Sequence, residues 1–97
     1  MEIRAFQQLI DKMYSHKDRR RGSRATFLWL VEEIGELAGA IAEGSQQDKA
    51  DEFADVLAWL ATLANVEGVD LAEAVKAKYG SGCPGCGQMV CICDEKP

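Results

Sequence analysis

From Ser23 to Gly68 apolar residues return every third or fourth position, and the pattern is interrupted once, at Gly44-Ser45. A period near 3.6 places such residues along one side of a helix, whereas a half-buried strand needs strict alternation. In the first run Phe27, Leu30, Val31, Ile34, Leu37, Ala38 and Ile41 form a broad apolar face, and in the second Phe53, Val56, Leu57, Leu60, Leu63 and Ala64 repeat it. Ser23 is a good N-cap for the first run, Gly44-Ser45 ends it, Asp48 caps the second and Gly68 closes it. Upstream, Ile3, Phe6, Leu9, Ile10 and Met13 predict a helix from Ile3 to about His16, broken by the run Lys17-Asp18-Arg19-Arg20-Arg21-Gly22. Downstream, Asp70 caps a short helix from Leu71 to about Tyr79. No stretch reads as a strand and no repeat is present.

These elements predict an all-α fold: an antiparallel helical hairpin core within about four helices. Its 97 residues sit at the marginal end of core size, so the reading expects an oligomeric helical bundle. Residues 1–79 form the helical domain, and Gly80-Ser81-Gly82 opens a cysteine-rich tail at residues 80–97.

Charge and hydropathy exclude several roles. A net charge of −5 argues against a general nucleic-acid binder, which gains affinity by neutralising phosphates with Lys and Arg. The longest apolar run, Ala25 to Val31, falls far short of the ~20 residues of a membrane span, so no membrane role is expected. The stretch MEIRAFQQ has no basic segment followed by an apolar block. The expectation is a cytoplasmic protein.

The acids are the informative residues. Trp29 to Trp59 holds eight of them (Glu32, Glu33, Glu36, Glu43, Asp48, Asp51, Glu52, Asp55) against the single base Lys49. A solvated hairpin normally mixes signs, because opposite charges at i,i+4 help and like charges hurt. Here Glu33 and Glu36 are three apart on one helix, as are Glu52 and Asp55 on the next. In an antiparallel hairpin turning near Gly44, residues whose numbers sum to 88 share a height. Glu36 then meets Glu52, and Glu33 meets Asp55. At 100° per residue the two acid stripes lie roughly 130° and 110° from the centres of their apolar faces, so both can border one crevice. Four carboxylates crowded together need protons or a cation, since unit charges ~4 Å apart repel by about 1 kcal/mol even in water. Hard oxygen ligands without histidine suit Mg²⁺ or Mn²⁺. Trp29 and Trp59 also sum to 88, one turn beyond the acids. They either stack on a nucleobase or fill a core or subunit interface.

EEIGE at Glu32–Glu36 followed by EFAD at Glu52–Asp55 resembles the EExxE…ExxD signature of the MazG-like all-α nucleoside triphosphate pyrophosphohydrolases, and the later ANVEGVDLAEAVKAKYG is similar as well. The resemblance covers roughly Phe27 to Tyr79. It implies a homodimer or homotetramer that cleaves an NTP into NMP and pyrophosphate with Mg²⁺ (or Mn²⁺). By motif position Glu33, Glu36, Glu52 and Asp55 would be the metal ligands, with Glu32 either supporting those ligands from behind or helping to orient the attacking water. Lys78 matches the family's late lysine and would bind substrate phosphate. Lys49, Arg24 and the Arg19–Arg21 run are further cations for the phosphates, Asn65 is a candidate for sugar or phosphate, and His16 is a helix-end residue. The basic run is read as a loop, either a clamp over the site or simply solubilising. Phosphoribosyl-ATP pyrophosphohydrolase has a similar carboxylate pattern, but the histidine that usually follows the aspartate there is missing after Asp55.

The tail carries Cys83, Cys86, Cys91 and Cys93, spaced C-x2-C-x4-C-x-C. The Cys-Pro-Gly-Cys-Gly turn resembles a zinc knuckle, and four thiolates suit a closed tetrahedral Zn²⁺ site. Disulfides, an iron–sulfur centre or a disordered redox tail are the alternatives. A non-catalytic helical adaptor, binding a partner through this knuckle, is the rival reading from another class.

Overall fold

The structure, a computed structural model, describes residues 1–95. Helix α1 spans Ile3–Glu43, α2 spans Gln46–Glu67 and α3 spans Leu71–Tyr79. No strand occurs among the described residues. The last two residues of the tail expected at 80–97 lie outside them.

Three helical elements stand where about four were expected, because the first predicted helix runs on through Lys17–Arg21 and abuts the second at Gly22. The segment Lys17–Arg21 is helical rather than a loop. It contains no Gly or Pro, and Lys and Arg are good helix formers, so nothing in it stops the helix. The only non-helical residue inside α1 is Gly22, at φ 81° and ψ 174°. That region of backbone space is open essentially to glycine alone. Gly22 therefore divides α1 into two helical limbs joined at a kink.

Two caps also differ from expectation. Ser23 lies inside α1, and its hydroxyl donates to the Glu67 carboxylate across the hairpin. Ser45, not Asp48, is the N-cap of α2. Its hydroxyl accepts from the Asp48 N–H at 3.1 Å, while the Asp48 carboxylate accepts from the Ser45 N–H at 3.0 Å. This reciprocal pair satisfies two amide donors that the helix start would leave orphaned. Gly68 closes α2 in the left-handed conformation, and Asp70 caps α3 by accepting from the Glu73 N–H at 3.1 Å.

α1 and α2 pack along most of the length of α2, whereas α3 rests on the start of α1. Gln7, itself buried, ties the far end together. Its amide nitrogen donates to Asn65 Oδ1 and to the Val69 carbonyl, and its oxygen accepts from the Leu71 N–H. Arg4 pairs with Asp70 and Glu73 on the surface beside it.

The buried hydrophobic residues of the single chain are Ile10, Leu30, Ala61 and Ala64, joined by the small polar Thr26 and Thr62. Of the residues on the broad apolar faces, Leu30 and Ala64 enter this core and the others do not. Phe27, Val31, Ile34, Ile41, Phe53, Leu57 and Leu60 stay between 41% and 58% exposed. The helices meet over small side chains along a narrow seam, and each apolar arc is wider than one neighbouring helix can cover.

Candidate metal and nucleotide site

The hairpin brings the two acid stripes together. Carboxylate oxygens of Glu33, Glu36 and Glu52 all lie within 4.8 Å of one another. Glu33 and Glu36 stand three residues apart on α1, and Glu52 comes across from α2 to join them. Glu33 Oε2 and Glu52 Oε2 are hidden from solvent without a hydrogen-bond partner among the described residues. A buried carboxylate oxygen lacking a donor is costly.

The electrostatics follow from this crowding. The Glu33 carboxyl is held above its ordinary range first by desolvation, then by the charges of Glu36 and Asp55, with smaller contributions from a hydrogen bond to Glu36 and from the Glu52 charge. The Glu52 carboxyl is raised by desolvation, then by Glu36 and Asp55, with Asp51 and Asp48 behind them. Asp55 is thus close enough to act on both, yet its own oxygens stand outside the tight triplet. Glu32 is exposed on the neighbouring stripe.

Asp55 also lines a cavity of about 350 Å³ together with Tyr14, Lys17, Asp18, Arg21 and Trp59. The two tryptophans meet as the register requires, stacked with ring centroids 6.1 Å apart and planes inclined by 20°. The Arg21 guanidinium lies over the Trp59 ring, 4.8 Å from its centroid. It also donates to Asp18 Oδ1 at 2.5 Å and to Thr26 Oγ1 at 3.0 Å. Asp18 is 4% exposed. This Asp18–Arg21–Trp59 cluster was not legible as a site, because the basic run looked like a loop. The signal that pointed to it was the i,i+3 spacing of Asp18 and Arg21, which pairs opposite charges only if the segment is helical.

The other candidates are dispersed. Lys49 is half-buried one turn before Glu52, and Arg24 and His16 are exposed. Asn65 is engaged with Gln7 in both directions, through its oxygen and its amide nitrogen. Along α2 it stands about 20 Å from Glu52, at 1.5 Å per residue. Lys78 lies over the Tyr79 ring on exposed α3. Neither Asn65 nor Lys78 lines the cavity beside the acids.

In the tail the four cysteine sulfurs likewise lie within 4.8 Å of one another, so this cluster can hold a metal ion. All four are free thiols. Cys86 is drawn down to about 6 by backbone N–H groups of Ile92 and Gln88, whereas Cys93 is pushed up to about 11, chiefly by its hydrogen bond with Cys91.

No helix among the described residues is long and apolar enough to cross a membrane. No curated protein matches the chain significantly. Residues 21–86 match the profile of the MazG nucleotide pyrophosphohydrolase domain, about two-thirds of the sequence. The match takes in the second limb of α1, both acid stripes, α3 and the first two cysteines. A helical hairpin whose facing acid stripes both fall inside that match is one thing by sequence and by geometry: the chain belongs to the MazG nucleotide pyrophosphohydrolase domain family.

Proposed function

We propose that this protein hydrolyses a nucleoside triphosphate to the monophosphate and pyrophosphate with Mg²⁺ or Mn²⁺. The observation that carries the reading is the convergence of Glu33, Glu36 and Glu52, with two buried oxygens unpartnered. An all-carboxylate donor set fits a hard divalent cation, which favours such oxygens together with substrate phosphates. These three residues would hold it, with Asp55 at the edge facing the cavity. When bound, the ion supplies neutralisation of phosphate charge and lowers the cost of ionising water.

The chain's own groups do the rest. The cavity of about 350 Å³ is of a size for a nucleoside. Trp59, already stacked on Trp29 and covered by the Arg21 guanidinium, lines it together with Lys17. Water attacks the α-phosphorus, the bond to the bridging oxygen breaks, and pyrophosphate leaves. Glu32, exposed beside Glu33, takes the proton of the attacking water. Catalysis of this kind rests on positioning and charge stabilisation. Lys49, one turn from Glu52, is the nearest lysine by sequence to meet the leaving phosphates, while Arg24, Asn65 and Lys78 act on substrate only if another copy presents them. The cysteine tail takes no part, because four thiolates around one zinc leave no open position for substrate.

Incubation with Mg²⁺ and a panel of ribo- and deoxyribonucleoside triphosphates, plus phosphoribosyl-ATP, tests the activity. The expected products are a nucleoside monophosphate and pyrophosphate in equal amounts. Turnover of phosphoribosyl-ATP alone would favour a phosphoribosyl-ATP pyrophosphohydrolase, and no turnover at all would favour an adaptor.

The same reading expects a homo-oligomer. Phe27, Val31, Ile34 and Ile41 form one exposed stripe and Phe53, Leu57 and Leu60 another, more apolar surface than a small monomer leaves open. A second copy covers both. Light scattering after size exclusion should give a dimer or tetramer, and Ile34→Glu with Leu57→Glu should shift it to the monomer mass. A wild-type monomer at micromolar concentration would remove this part of the reading.

A further inference from the structure

The geometry points to a structural Zn²⁺ site formed by Cys83, Cys86, Cys91 and Cys93, separate from the carboxylate centre. Four sulfurs around one zinc at about 2.3 Å sit on a tetrahedron with edges of about 3.8 Å. Here Cys83 Sγ and Cys93 Sγ are 3.9 Å apart, and no pair among the four exceeds 4.8 Å. That spacing is far too long for a disulfide, whose sulfurs are about 2.05 Å apart. It is too tight for a cluster of several irons, whose bridging sulfides spread the cysteines apart.

The backbone is arranged to support thiolates. Gly85 N–H donates to Cys83 Sγ at 3.4 Å, Ile92 N–H to Cys86 Sγ at 3.5 Å and Cys93 N–H to Cys91 Sγ at 3.3 Å. Such donors offset the negative charge that four thiolates leave around a divalent ion. The first pair is held in a closed turn. Gly87 N–H donates to the Cys83 carbonyl at 2.7 Å, and Cys83 N–H to the Gln88 carbonyl at 2.8 Å. Gly82 makes this closure possible: at φ 113° a Cβ there would stand 2.9 Å from the Gln88 carbonyl oxygen.

Burial cannot hold this segment in place. Met89, Val90 and Ile92 are 81%, 82% and 75% exposed, so the tail has no apolar core of its own. A segment this short needs a covalent or metal staple to keep one conformation. One zinc ion supplies it by joining both arms of the tail, Cys83–Cys86 and Cys91–Cys93. The closed thiolate shell makes the ion structural, with no place for water or nucleotide.

The test is metal content of the full chain, purified under reducing conditions without chelator. One zinc per chain is expected. Replacement by Co²⁺ should give the intense visible bands of tetrahedral cobalt–thiolate. Cys86→Ser and, separately, Cys91→Ser should each weaken zinc binding by about tenfold or more against a competing chelator. Both variants should keep wild-type helicity by circular dichroism and wild-type nucleotide turnover. Metal content and cobalt spectra do not depend on catalysis, so failure of the enzymatic reading would leave this result standing. Iron in place of zinc, zinc far below one per chain, the weak bands of octahedral cobalt, or zinc retained by both serine variants would each overturn the assignment.

Discussion

Glu36→Gln is expected to lower kcat by about 10³-fold or more while leaving the metal-free protein at least as stable as the wild type. The two effects have opposite signs because the residue has two roles. Glu36 is one of three carboxylates whose oxygens converge within 4.8 Å, so under the proposed function the amide would remove a charged ligand of the cation. Charge stabilisation of that kind is worth several kcal/mol in the transition state, and each 1.4 kcal/mol is about a factor of ten. In the metal-free fold the same charge repels its neighbours and helps raise both Glu33 and Glu52. Removing it relieves that repulsion. Steady-state kinetics with saturating Mg²⁺ and a thermal melt in EDTA read the two effects separately. A melting point several degrees lower, with helicity lost, would make Glu36 a structural acid.

Mg²⁺ should raise the melting temperature at neutral pH and lose this effect as the solution is acidified. A ligand at a hundred times its Kd stabilises by about 2.7 kcal/mol. In a chain of this length each kcal/mol moves Tm by about 4–8 °C. The pH dependence follows from the raised carboxyls of Glu33 and Glu52. Because their folded pKa values exceed the unfolded ones, the native state binds more protons in the window just above 4.5. The metal-free protein therefore loses stability from these groups as pH rises through their folded pKa values, and regains it on acidification. Protons and Mg²⁺ compete for the same oxygens, so the stabilisation by metal fades over the same window. Melting curves with Mg²⁺ and with EDTA across that range are the measurement. A Tm increment independent of pH would place the cation elsewhere.

The hairpin and its acid register were legible because they depend on two simple periods. Helical spacing fixed the stripes, and the single interruption at Gly44-Ser45 fixed the sum of 88 that joins Glu36 to Glu52 and Trp29 to Trp59. The basic segment was misread because its composition resembles a loop, whereas helix propensity and the Asp18–Arg21 pair carry it through to Gly22. Leu30 and Ala64 were correctly read as apolar-face residues, but the pattern could not tell a face that packs within the chain from one that waits for another copy. Both are simply apolar at helical spacing. Asn65 looked like a free polar group near a helix end. Its partner Gln7 lies 58 residues away, and no local pattern announces such a contact.

The pairing of Arg21 with buried Asp18 has a consequence for how substrate enters. The cavity walls carry Lys17 and Arg21 against Asp18 and Asp55, which cancel, and the three glutamates beside them leave the approach net negative. A bare triphosphate meets no attraction there. Under the proposed function the nucleotide is therefore expected to arrive as its cation complex or after the cation, not ahead of it. An excess of uncomplexed nucleotide is then expected to inhibit by stripping the cation, which turnover measured at fixed Mg²⁺ and rising nucleotide would read.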